Sequence, residues 1–481
     1  MHLRISNKLS VYLENFDEYV GFKCWAERAF IIDNPEYIKR VRLNKWIGGI
    51  PKKLKIFKAY PEHFDFGYGD MDILGRYLAD LWPNFTRHFA LNSNAVADWT
   101  GFLACPRDYQ KKAIDTIMAW KYGILQAPCS SGKTYMGHCM AARTGKKTLW
   151  LTHKGDLLEQ SYEEGLRLFN GNDSKLGKIT NGKVEIGEVI TYATVQTLEK
   201  YVDELADVWD CIIVDECHRA ATHQMATRMA KCISTIKATY KYGLSATPET
   251  HDGYYRTIIS CLGPIRYVIE KEQLENDNQI MPVTIIPVPT KWSYPDEAFM
   301  SDGTVDWQQA IHCMVEDEER NKQIADICAS GGTVMVLAKQ VEHLVQIANL
   351  IPSELHYRTC VITSKSKTLY DISSSIEWCS TIKARKAVLD KVKDGTYTIM
   401  LATYSLAQEG LNIPRLSKVI MAFPAIEENI ITQVLGRVAR VHNEKNEAIC
   451  YDLVDRPKYF QRKFNERKRL YKKLNYKLMD Y

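Results

Sequence analysis

The chain has 481 residues, of which 46% are hydrophobic and 25% charged, and its formal net charge is +5. That length is too great for one core and predicts about three domains at roughly 100 to 200 residues each, with the composition of an ordinary soluble protein. No segment approaches the roughly 18 apolar residues that span a bilayer, and MHLRISNKLSV lacks the apolar core of a signal peptide, so a cytoplasmic location is expected. The 13 cysteines are odd in number and contain no C-x-x-C pair. They suggest neither a zinc site nor a full disulfide framework, and most read as small buried hydrophobes.

Residues 1 to 100 are rich in aromatics and lysine and show no long helical period; KIF, AYP and HFDFGYGD read as short strands and turns. From 101 to 280 the apolar runs YGILQ, KTLWLTH, EIGEVITYAT, DCIIVDE and YKYGLSAT alternate with helical stretches. A polar link, EKEQLENDNQ, ends this series. A second follows over 281–455, with GTVMVLA, RTCVITS, YTIMLAT, SKVIMAF and EAICYDLV. Strands alternating with helices build parallel sheets, so two such domains stand in series. Between them, the first half of 291–320 reads as an exposed insertion or loop, followed by the helical EERNKQIADICA. Residues 456–481, RPKYFQRKFNERKRLYKKLNYKLMDY, form a strongly basic helix candidate that could dock on the second domain and turn its basic face to DNA. Its Glu466-Arg467-Lys468 matches part of a nuclease E-x-K signature, with no room left for a nuclease domain.

The chemistry concentrates at strand ends. ILQAPCSSGKT follows a strand and precedes a helix, and departs from the phosphate-loop spacing only by Ala127 in place of the first glycine. Such a loop aims backbone N–H groups and a helix N-terminus at an anion; an ordinary structural loop ending in GKT is the alternative. Asp215 and Glu216 end the apolar run CIIVD, where Mg²⁺ beside a phosphate loop would lie. There Asp215 would hold the metal and Glu216 would orient and deprotonate a water, a solvated acidic turn being the alternative. Ser245 and Thr247 in GLSATPE add hydroxyls at another strand end. QVLGRVAR places Arg437 and Arg440 on one side of a helix, suited to a γ-phosphate unless this is only an exposed basic face.

Taken in order, PRDYQ, APCSSGKT, LTHKGDLLEQ, TYATVQTL, DECH, SATP, LATYSLAQEGLNIP and QVLGRVAR resemble the motif series of the superfamily 2 helicases over residues 105 to 455. The resemblance implies an α/β fold of two tandem RecA-like parallel-sheet domains, with a small α+β N-terminal accessory domain and a basic C-terminal helix, and ATP bound between the two domains. It implies that Arg107 and Gln110 recognise adenine, and that Ser130, Ser131, Gly132, Lys133 and Thr134 hold phosphates and Mg²⁺, with Asp215 the second metal ligand. Asp215 and Glu216 would serve hydrolysis, Gln433, Arg437 and Arg440 would reach in from the second domain, and Gly410 and Asn412 would lie near the sugar and γ-phosphate. His218, Ser245 and Thr247 would couple the ATP site to nucleic acid. DECH in place of DEAD departs from the typical RNA helicase pattern.

Nucleic-acid contacts implied by the same resemblance fall at His153, Lys154, Thr194, Gln196 and Thr403, or these are simply strand-end turns. In the N-terminal region, Lys39, Arg40, Arg42, Lys45, Lys52, Lys53, Lys55 and Lys58 interleave with Tyr37, Trp46 and Phe57. Basic residues neutralise phosphates and exposed aromatics stack on bases, against the plainer reading of a solvated face over a small β core. This stretch resembles the N-terminal DNA-binding domain of UvsW-like phage recombination helicases, with Arg42, Lys45 and Trp46 as its reading group. The resulting expectation is an ATP- and Mg²⁺-dependent DNA helicase or translocase, a monomeric motor with no membrane partner, that remodels forks and junctions. A restriction-type motor subunit, an RNA helicase and an ATP-switched clamp stand as alternatives. Removing residues 1 to about 95 is expected to spare DNA-stimulated ATPase but to impair junction unwinding.

Overall fold

The computed structural model describes residues 1–91, 95–219, 223–247, 255–408, 413–424 and 428–480. The chain separates into two compact units, Met1–Pro128 with Gly132–Glu270, and Lys271–Tyr481 with the loop residues Cys129–Ser131.

The first unit contains two sheets. Its N-terminal sheet has the order Lys58–Ala59, His63–Gly67, Lys8–Tyr12, His2–Ile5 and Thr86–Phe89. Pairing is antiparallel apart from the parallel contact of His2–Ile5 with Thr86–Phe89. Helices Phe16–Ala29, Pro35–Arg42 and Met71–Leu81 accompany it and supply the helical part of the expected α+β region, which the short strand-like motifs did not place. Phe22, Phe30, Phe64 and Phe66 fill the core, and Trp25 stacks on Tyr77 at 3.7 Å.

The second sheet of this unit has the order Lys183–Val184, Leu176–Thr180, Ile190–Thr194, Thr148–Thr152, Cys211–Asp215, Tyr240–Ser245, Tyr122–Gln126 and Ile265–Val268. All its pairings are parallel except that of Lys183–Val184. The five runs read as strands are strands, and they are continuous apolar stretches because helices cover both faces of a parallel sheet.

The accessory region does not separate from this sheet at residue 100. Asp70 is fully buried and pairs with Arg256 at 2.8 Å while accepting a hydrogen bond from Ser260. Asp72 pairs with Arg266 at 2.7 Å and accepts from the Tyr122 hydroxyl. A Cβ on Gly67 or Gly69 would collide with the backbone of Ser260 or Ile259, so the two layers meet main chain to main chain. Cutting the chain near residue 95 would strip the partners from Arg256 and Arg266, a cost in stability that the truncated ATPase would have to withstand.

The second unit is one parallel sheet, ordered Glu377–Cys379, Thr359–Ile362, Ile399–Thr403, Thr333–Ala338, Leu416–Met421, Ile449–Val454, Thr284–Pro289 and Lys477–Leu478. The two eight-stranded sheets make the α/β class and tandem RecA-like architecture plain. Segment 291–306 is mostly exposed, as expected, but it is anchored by Trp292, which is buried against Met314 and Phe460. Two helices follow, Trp307–Glu316 and Glu318–Ala329, rather than one. The C-terminal segment is helical over Lys458–Lys473 and then turns into the edge strand Lys477–Leu478. Arg467 is buried in a two-pronged ion pair with Asp452, which removes it from any nuclease role.

Candidate functional site

Every described candidate of the first unit's parallel sheet sits at or just beyond the carboxyl ends of its strands, or on the helix that packs against the loop there. Strand Tyr122–Gln126 delivers the chain into the glycine loop, and helix Lys133–Thr144 leaves it. Ser130 and Gly132 both have left-handed backbones, at φ 70° and 81°. Alternating handedness of this kind turns successive N–H groups toward one point and forms an anion nest. The left-handed φ favours glycine at 132, and a Cβ there would lie 2.6 Å from Gln110 Nε2, so that amide would have to shift. Gln110 is itself buried, and its Oε1 accepts the Arg107 backbone N–H at 3.0 Å at the start of helix Asp108–Met118. Arg107 and Gln110 are thus brought to the loop. Lys133 Nζ donates to the carbonyls of Ala127 and Pro128 at 3.2 and 3.3 Å, folded back over its own loop.

Asp215 ends its strand two strands from Gln126, about 10 Å across the sheet at ~4.8 Å per strand. It is level with Leu244, and Ser245 is level with Gln126. Asp215 accepts from Glu216 N at 3.0 Å and from the Ser161 hydroxyl at 3.4 Å. Burial, and then the neighbouring Glu216 charge, hold its carboxyl above the usual range, with Lys133 opposing. Glu216 turns through a left-handed φ of 48° and sets Oε2 3.2 Å from His218 Nδ1. The same His218 nitrogen lies 2.9 Å from Ser245 Oγ, which accepts from Thr247 N at 3.1 Å. Glu216, His218, Ser245 and Thr247 therefore form one continuous polar chain.

This arrangement fits Mg²⁺ and a triphosphate on its donor set. Asp215 and Thr134 offer hard oxygen ligands, and a cation beside Asp215 would offset the burial that disfavours its ionised form. Sequence reasoning missed Ser161, because a serine inside helix Gly155–Leu168 carries no local signal of facing an aspartate.

The nucleic-acid candidates occupy the neighbouring part of the same edge. Thr194 and Thr152 are register partners, His153 and Lys154 follow the latter, and Gln196 Nε2 donates to the His153 carbonyl at 2.9 Å. Lys154 and Gln196 are exposed, whereas Thr194 is buried and bonds Thr197 at 3.2 Å.

In the accessory region, Asn34 caps helix Pro35–Arg42 and ties Pro51 across the base of a loop. Arg40 pairs with Glu36 at 2.7 Å and donates to the Trp46 carbonyl at 3.0 Å. The indole lies against Gly48, and Trp46 is 80% exposed beside exposed Arg42 and Lys45. Phe57, by contrast, is core: it lies in the bend between strands Lys53–Lys55 and Lys58–Ala59, packed among Phe64 and Phe66, and it is no stacking residue.

In the second unit Gln433 and Arg437 lie on helix Glu428–Val438. Arg440 does not share that helix: it follows the helix end and forms an antiparallel bridge with Ile280. Thr403 ends strand Ile399–Thr403, its hydroxyl 3.0 Å from Ser405 Oγ. Gly410 and Asn412 lie outside the described residues.

Two family models match the chain: "Type III restriction enzyme, res subunit" over residues 104–250 and "Helicase conserved C-terminal domain" over 319–442. Between them they cover more than half of it. The chain belongs to the superfamily 2 helicases. This helicase is 23% identical to the ATP-dependent DNA helicase uvsW of Enterobacteria phage T4 over 99% of its own length and 93% of that protein. It is 24% identical to the probable helicase D10 of Escherichia phage T5, over 67% of this chain, and spans 65% of that relative's length. The fragment structure of a putative HsdR subunit of a type I restriction enzyme from Vibrio vulnificus shares its fold, with a TM-score of 0.52 at 18% identity over 73% of this chain and 64% of that one. No helix among the described residues is long and apolar enough to cross a membrane.

Proposed function

We propose that the chain is a single-chain, Mg²⁺- and ATP-dependent DNA motor that unwinds or branch-migrates forked and junction DNA in the cytoplasm of a bacterial or phage-infected cell. One observation carries the reading: the polar chain from Glu216 through His218 to Ser245 and Thr247, on the sheet edge that also carries His153, Lys154, Thr194 and Gln196. A hydrolytic carboxylate and a row of nucleic-acid candidates thereby share one rigid edge. The relatives' printed names favour DNA.

Lys133 leaves the Ala127 and Pro128 carbonyls to take phosphate oxygens, and the loop's N–H groups hold the rest. When bound, Mg²⁺ neutralises charge developing on the transferred phosphoryl group. Thr134 and Asp215 would hold that ion and Arg107 and Gln110 would face the base; Gln433, Arg437 and Arg440 are the catalytic candidates of the second unit. Glu216 accepts the proton of the attacking water, and His218, whose Nδ1 lies 3.2 Å from Glu216 Oε2 and is hydrogen-bonded to Ser245 Oγ, is placed to pass the change in that carboxylate to Thr247.

Arg42, Lys45 and Trp46 form the junction-reading tip: Arg40 bonds the Trp46 carbonyl and the exposed indole lies against Gly48 on the loop that carries two exposed cations, the chemistry that stacks on an unpaired base. Trp46→Ala is expected to impair four-way-junction unwinding while leaving DNA-stimulated ATPase intact; equal unwinding by both proteins refutes the tip. The restriction description of the first family model supports a second reading, a motor subunit of a nuclease complex. Co-purification of a stable nuclease partner with the tagged chain would favour it.

A further inference from the structure

We propose that the outer face of helix Lys458–Lys473 is a binding rail for the phosphate backbone of duplex DNA. The proposal rests on the DNA reading above and assigns a site remote from the glycine loop in sequence.

The helix has two opposed faces. Phe460, Phe464, Arg467 and Tyr471 are buried, and at 100° per residue they cluster within about 60° of arc. Lys458, Arg462, Arg469 and Lys472 are exposed and fall within about 80° of arc on the far side. The rotation of the helix is fixed: Arg467 donates to both Asp452 oxygens at 2.8 and 2.9 Å, and the Tyr471 hydroxyl donates to Asp452 at 2.8 Å. A rod pinned in this way presents its outer stripe in one direction.

The stripe is unneutralised. Lys458, Arg462, Arg469 and Lys472 pair with no carboxylate among the described residues, whereas Lys463 pairs with Glu466 and Lys473 with Glu428. Leaving four cations uncompensated along one line is the pattern that recruits a polyanion.

Duplex DNA fits better than a single strand. From Lys458 to Lys472 the helix rises about 21 Å at 1.5 Å per residue, the rise of about six base pairs at 3.4 Å each. Single-strand sites add aromatic platforms, and this stripe has none: Tyr459 packs on Trp307 at 4.4 Å instead.

The test is binding of the full chain to a blunt DNA duplex, an oligo-dT strand and a blunt RNA duplex across a salt series. Arg462→Ala/Arg469→Ala/Lys472→Ala is compared with wild type. These side chains are exposed, and retained thermal unfolding and unstimulated ATPase verify an intact fold. For the DNA duplex, the slope of log K against log salt is expected to shrink by about 2.7, at ~0.9 per phosphate contact, with oligo-dT binding unchanged. An unchanged duplex slope, an equal loss on oligo-dT, or a loss confined to RNA overturns the rail. If the duplex slope falls as expected but DNA does not stimulate wild-type ATPase, the rail stands and the motor reading fails.

Discussion

His218 Nδ1 stands 2.9 Å from Ser245 Oγ, joining the strand end that carries the acidic pair to the strand end that leads into Thr247. The residues are 27 positions apart in sequence and meet because strands Cys211–Asp215 and Tyr240–Ser245 are parallel neighbours. His218→Ala breaks this link and also removes the imidazole beside Glu216 Oε2, while Asp215 and Glu216 themselves are retained. It is expected to cut DNA-stimulated ATPase roughly fivefold, the equivalent of about 1 kcal/mol for one hydrogen bond, with ATP affinity unchanged. Steady-state ATPase with and without DNA reads this directly.

The glycine loop predicts two distinct failures. Lys133→Ala is expected to abolish hydrolysis while leaving DNA binding intact, because the ammonium that would take phosphate oxygens is removed from the loop and not from the nucleic-acid candidates. Gly132→Ala meets both a left-handed φ and Gln110 Nε2 at 2.6 Å, so it is expected to lose ATP binding itself and about 1 to 3 kcal/mol of stability. Titration with a fluorescent ATP analogue separates them.

Asp215 is a cost to the nucleotide-free fold. Its carboxyl is raised by burial, so between the usual carboxylate value and the raised one the native state binds more protons than the unfolded state. Stability contributed by this group is therefore full at low pH and lost as pH rises through the native pKa. Asp215→Asn is expected to be inactive yet more stable than wild type at pH 8, by about 1.4 kcal/mol for each tenfold difference in proton affinity between the folded and unfolded carboxyl. That advantage is expected to vanish near pH 4. Denaturant unfolding at the two pH values checks it.

Asp70 and Arg256 weld the accessory region to the first unit. Asp70→Ala leaves the Arg256 guanidinium, 22% exposed, without its carboxylate partner, and is expected to cost less than the about 3 to 5 kcal/mol of a fully buried pair. Asp72→Asn, at a more exposed pair, is expected to cost less. Chemical denaturation of the full chain ranks the two.

Much of this architecture is legible in the sequence because buried parallel strands are uninterrupted apolar runs whose ends carry the chemistry: YGILQ, CIIVD and YGLS lead straight to Gly132, Asp215 and Ser245. Strand Thr284–Pro289 is not, since Pro287 and Pro289 argue against a ladder, yet it pairs on both sides. Spacing alone puts Arg440 on a helix, and spacing carries no signal of where the last turn stops. The weld of Asp70 to Arg256 spans 186 positions, and nothing local marks an aspartate as the future partner of a distant arginine.

The central claim is that Glu216 hydrolyses ATP to drive DNA remodelling. It is tested most directly by Mg²⁺- and ATP-dependent unwinding of a four-way DNA junction, with wild type and Glu216→Gln side by side. Wild type is expected to resolve the junction while Glu216→Gln binds ATP and leaves it intact. Resolution at equal rates by both proteins, or by neither while an RNA duplex is unwound, would contradict the account.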